Sequence, residues 1–84
     1  MSDLRRPALI LKRIDAAIAL MKAEGMAIRA IYLARTDLED FLAAQAVIQR
    51  PVRHRSYDVR PIIGKGSSKI YSNRGVARAV PRAV

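Results

Sequence analysis

The sequence predicts an α+β fold: two helices packed on a small sheet, in the order α-β-α-β-β, with a basic C-terminal β-hairpin. Three observations predict it. Apolar residues recur at helical spacing near the N-terminus and again after Thr36. A short β-branched and aromatic run separates those two stretches. Beyond Pro51 the helical period disappears and extended segments alternate with glycine-bearing turns.

The first helix is expected from residue 7 or 8 to residue 24. Ile10, Ile14, Ala17, Ile18 and Met21 share one helical face, with Lys12, Asp15 and Lys22 on the other. Pro7 suits a first turn, where its missing N–H costs nothing. Gly25 stands where a left-handed cap would close the helix. Residues 27–33 (Ala-Ile-Arg-Ala-Ile-Tyr-Leu) are apolar on both faces apart from Arg29, which describes an interior strand covered on at least one side by a helix. Thr36-Asp37-Leu38-Glu39 has the pattern of a capping box, a hydroxyl and a carboxylate each satisfying an unpaired N–H. Asp37, Glu39 and Asp40 then lie where the helix dipole favours anions, a cheaper reading of this acidic cluster than a metal site. The second helix is expected to reach residue 49, bury Leu38, Phe41, Leu42 and Ile48, and stop before Pro51. Residues 52–63 read as extended, Gly64-Lys65-Gly66-Ser67-Ser68 as a turn, and Lys69-Ile70-Tyr71-Ser72 as the strand returning beside them. Asn73-Arg74-Gly75 is a second turn. Residues 76–80 form a last short strand or a helical turn, which Pro81 stops. Ile28, Ile31, Tyr32, Leu38, Phe41 and Leu42 are expected in the core.

Eighty-four residues make one domain, residues 1–49 serving as helix-strand-helix scaffold and residues 50–84 as basic hairpin and tail. A chain of this size buries only about 60–65% of its unfolded surface, so the core is small. The absence of Cys excludes disulfides and thiolate metal sites. No apolar run approaches the ~20 residues that span a bilayer, so no membrane role is expected. Arg5-Arg6 and the apolar residues after them have the outline of a twin-arginine export signal, but Lys12-Arg13 interrupts it. The expected location is the cytoplasm.

Charge is the most informative property. Residues 1–49 hold 7 Lys/Arg against 6 Asp/Glu, whereas residues 50–84 hold 9 against Asp58 alone. A half-chain with that imbalance repels itself, and an anionic partner explains its retention. The expected partner-binding residues are Arg53, Arg55, Arg60, Lys65, Lys69, Arg74 and Arg78. Arg53 and Arg55, two apart, share a face if extended. Arg74, Arg78 and Arg82 are spaced by four. Tyr57 and Tyr71 interleave with these cations as possible stacking residues. This reading requires that the cations form one surface and are not tied up by the helices' acids.

Catalytic readings fail on residue type and spacing. A Walker loop needs four residues between its glycines and then a helix, whereas Gly64-Lys65-Gly66-Ser67 has one residue between them and leads into a strand. His54 is the sole His, with Asp58 the only acid near it in sequence, which makes neither a metal site nor a triad with Ser56. No cofactor, metal or catalytic residue is expected, and no enzyme. Helix-turn-helix, zinc-finger and RNP-type patterns are also missing.

In length and organisation, and in the stretch from Gly64 through Lys69-Ile70-Tyr71-Ser72 to Arg78, the chain resembles small prophage and mobile-element accessory proteins, the anti-CRISPR group most. The resemblance covers about a fifth of the chain. It implies a non-enzymatic inhibitor that docks on a nucleoprotein such as a CRISPR effector and blocks nucleic-acid access. Many such inhibitors are acidic and imitate DNA. This chain has the opposite sign, so it must grip an acidic protein face or the nucleic acid itself. The alternative is a direct, weakly sequence-selective DNA- or RNA-binding protein. Oligomeric state is open.

Overall fold

Spacing of three and four residues sets the first helix. Ile10, Ile14, Ala17, Ile18 and Met21 are all buried along one side of α1 (Arg5–Ala23). The computed structural model describes residues 5–45, 52–64 and 66–81. Beyond α1, Gly25 adopts φ +81°. Its N–H donates to the Lys22 carbonyl (2.9 Å) and that of Met26 to the Met21 carbonyl (3.0 Å), the two bonds of a Schellman closure. The closure directs the chain into β1 (Ile28–Leu33).

The second helix, α2, spans Arg35–Ala44, and its N-cap is Ala34, with no side-chain cap bond. The expected capping box is therefore not the one used: Thr36 already lies inside the first turn. The job is done from a distance. Ser68 Oγ accepts the Ala34 N–H (2.9 Å) and its own hydroxyl donates to Asp37, which also takes Arg13 Nη1 (3.2 Å). A partner from the far end of the chain outcompetes the local box because Ser68 is held, 3% exposed, against the start of α2. Ser68→Ala is expected to cost about 1–3 kcal/mol, since it strips partners from a part-buried N–H and a carboxylate together. Urea unfolding measures it, and a loss under about 0.5 kcal/mol would mean that water replaces the hydroxyl. Glu39 pairs instead with Arg35, one turn back (3.4 Å). Phe41 is fully buried, while Leu38 and Leu42 pack partly against the core. The expected continuation to residue 49, with Ile48, lies outside the described residues.

Residues 52–63 do not form one extended run. They fold into β2 (Arg53–His54) and β3 (Tyr57–Pro61) around a turn in which Arg55 takes φ +59°. β4 (Lys69–Ser72) and β5 (Ala77–Ala79) follow. The described residues thus form two helices and a five-stranded mixed sheet of order β2-β3-β1-β4-β5. The α+β class is as predicted, and the element order extends it by two short strands. β4 does not pair with β3: β1 lies between them, parallel to β3 and antiparallel to β4. The C-terminal hairpin is β4-β5, closed at Asn73-Arg74-Gly75, with Gly75 at φ +80°. Both helices pack on one side of the sheet, where α1 and α2 residues join Ile28, Ile31, Leu33, Val59, Ile70 and Val80 in a single core. No helix among the described residues is long and apolar enough to cross a membrane.

Candidate binding face on the open side of the sheet

Alternation along the strands sends every second side chain away from the helices. Register fixes which ones. Ile31 pairs with Val59 and with Ile70, all three facing the core. Their neighbours face outward: Ala30 aligns with Asp58 and Tyr71, Tyr32 with Arg60 and Lys69, and Arg53 with Asp58. Neither described helix covers this outward face. An irregularity between Ile28 and Ala30 breaks the alternation in β1. Ile28 keeps to the core, and Arg29 comes to line the same concavity as Tyr32.

That concavity lies at the ends of β1 and β3 and the start of β4. Its volume is about 510 Å3, and Arg29, Tyr32, Ile62, Ile63, Lys69 and Tyr71 are among its walls. The two tyrosine rings meet edge to face, 5.2 Å between centroids and 79° between planes. Ile63 is 97% exposed at the rim. Arg29 and Lys69 line the concavity with the rings, Arg60 is the register partner of Tyr32 on β3, and Arg53 lies further out on the same face, on β2. The acid that the register places on this face is Asp58, flanked by Arg53 (3.3 Å) and Arg60 (3.5 Å). The face is cationic with an aromatic centre.

The sequence-predicted cations divide. Arg53, Arg60 and Lys69 lie on the open face. Arg55 does not share a strand face with Arg53: it sits in the β2-β3 turn and bonds the Asp15 carboxylate of α1 (3.1 and 3.3 Å). Arg78 points to the helix side, since it pairs with Ile70 in register, and its guanidinium meets Glu24 beyond the end of α1. Arg74 is exposed in the β4-β5 turn. Lys65 and Arg82 lie outside the described residues. The two expected stacking residues separate as well. Tyr71 is on the open face, but Tyr57 packs against the core, with Lys22 Nζ 5.8 Å from its ring centre. Two cations expected at the interface are thus engaged by acids of the helical layer.

His54 also turns inward, its ring edge-on to Phe41 and its Nε2 2.7 Å from Asp15 Oδ1. Partial burial pushes the Asp15 carboxyl up, but its hydrogen bonds to Arg55 and His54 and their charge outweigh this and hold it below its ordinary value. The cluster joins the β2-β3 turn to α1. Among the described residues, no three His, Cys, Asp or Glu side chains converge as a metal site would require.

Comparison of the chain with protein-family models, curated proteins and solved structures found no match. Arg29 and Tyr32 are not among the cations and rings that the sequence pattern singles out, and its apolar run places Tyr32 in the core. Residues 29 and 32 fall on opposite faces of a regular strand, and only the irregularity in β1 brings them together. The local sequence carries no signal for it.

Proposed function

We propose that this chain is a non-enzymatic binding protein that seats an anionic macromolecule on the open face of its sheet and acts by occupying it. The observation that carries the reading is that Arg29, Arg53, Arg60 and Lys69 share a sheet face that neither described helix covers, on which the register places one acid, Asp58. Nucleic acid is the partner this face supports best. The cations are distributed across neighbouring strands, a spacing suited to a run of phosphates, and guanidinium groups bind phosphate through two parallel bonds.

The inhibitor reading, docking on an acidic subunit of a nucleoprotein such as a CRISPR effector, uses the same cations. It gains little from the stretch that resembles the anti-CRISPR group, where Arg78 is paired with Glu24. Binding of fluorescein-labelled oligothymidylate, followed by anisotropy through a salt series, tests the proposal. Contacts from these four cations give an expected slope of log K against log salt of roughly −2 to −3. Absence of binding at low salt, or affinity indifferent to salt, would overturn it.

A further inference from the structure

The open face holds more than charge. If its partner were only a patch of carboxylates, cations on a flat surface would suffice. Instead two of the cations, Arg29 and Lys69, line a concavity of about 510 Å3 whose walls also include Tyr32, Tyr71, Ile62 and Ile63. That size is within the roughly 300–1,000 Å3 range of small-molecule sites. Tyr32 and Tyr71 are only half-buried although each stands on a strand paired on both sides. Their edge-to-face contact fixes both rings. Lys69 and Arg29 stand at the same concavity, and Arg60 is the register partner of Tyr32. The matching ligand has a flat apolar body joined to an anionic chain.

On the reading that this face binds nucleic acid, we infer that the Tyr32–Tyr71 concavity is a base-stacking subsite and that the partner is single-stranded. A base can enter it only when it is unstacked from its neighbours and unpaired, which excludes the interior of a duplex. Tyr32 and Tyr71 supply ring surface to the base, Ile62 and Ile63 bound it, and Arg29, Arg60 and Lys69 hold the phosphates on either side. Rings recognise every base through its π-face, so the preference is for strandedness over sequence. The exposed Ile63 side chain becomes a wall that a bound base covers.

The test uses the full chain and four probes: twelve-nucleotide oligothymidylate and oligouridylate, a twelve-base-pair duplex, and poly-L-glutamate. Single strands are expected to bind at least about tenfold more tightly than the duplex. Tyr71→Leu and Tyr32→Leu keep apolar bulk and remove the ring. Each is expected to weaken single-strand binding roughly 5- to 150-fold while changing poly-L-glutamate binding by less than about twofold. Circular dichroism checks that each variant is folded. Should either variant fail to fold, the wild type still decides, because the chain has no Trp and tyrosine emission is readable directly. Quenching by single strands but not by poly-L-glutamate supports the subsite. Equal affinity for duplex and single strands, or tyrosine variants that bind single strands as wild type does, overturns the stacking subsite and leaves the cationic face standing. No binding to any of the four probes overturns both.

Discussion

Phe41→Ala is expected to cost about 3–5 kcal/mol of folding stability, the range for deleting a buried aromatic ring. Phe41 is fully buried and is the buried residue of α2, while Leu38 and Leu42 reach the core only in part. A ten-residue helix has little stability of its own in water, so its attachment depends on what it buries. The ring also lies edge-on to His54, 5.7 Å between centroids, and so supports the side chain that joins the β2-β3 turn to Asp15. Removing it opens a cavity, loosens α2 and exposes that polar cluster to water. Domains of this size have roughly 5–15 kcal/mol in total. Each kcal/mol is worth about 4–8 °C in Tm, so the variant is expected to melt tens of degrees lower or to be partly unfolded at room temperature. Urea and thermal unfolding followed by circular dichroism measure it. A loss below about 1 kcal/mol would mean that α2 collapses onto the gap and is held by Leu38 and Leu42 instead.

What could be read from the sequence follows the range of the forces involved. The face of α1 and its glycine closure depend on residues at most five apart, and both are where local pattern places them. β1 is recognisable as an interior strand from its apolar run. The start of α2 is different: Thr36 and Glu39 match a capping box, yet Ser68, more than thirty residues onward, satisfies the backbone there. The β2-β3 turn contains Arg55 in a left-handed conformation that glycine or asparagine usually announces, and neither is present. Missing that turn misplaces Arg55 and hides the opposite orientations of Tyr57 and Tyr71. The insertion of β1 between β3 and β4 is a choice among pairings that no local spacing records. The positive charge of the C-terminal half was legible by counting; its division between helix acids and the open face depends on that pairing.

Reversing two cations of the open face, Arg60→Glu with Lys69→Glu, is expected to weaken nucleic-acid binding about 100-fold at low salt, and a matched pair on the helices should not. Arg60 and Lys69 flank Tyr32 in register on either side of β1, so both sit at the centre of the proposed contact. A charge near a phosphate is worth about 1 kcal/mol at 4 Å in water, and reversal turns attraction into repulsion, so each change costs about 2 kcal/mol before screening by salt. Arg60→Glu also places a second carboxylate beside Asp58, leaving Arg53 as its cationic neighbour in the adjoining strand. The control is Lys12→Glu with Arg35→Glu, two exposed positions on α1 and α2. Both pairs lower the net charge from +9 by four. Any long-range steering by overall charge is therefore reduced alike, and the difference between them reports the face itself. The control pair should lose less than about fivefold, mostly in association rate, whereas the open-face pair should lose bound-state contacts and dissociate faster. Equal losses from the two pairs would show that binding follows the net charge of the molecule and that the uncovered side of the sheet has no special part in it.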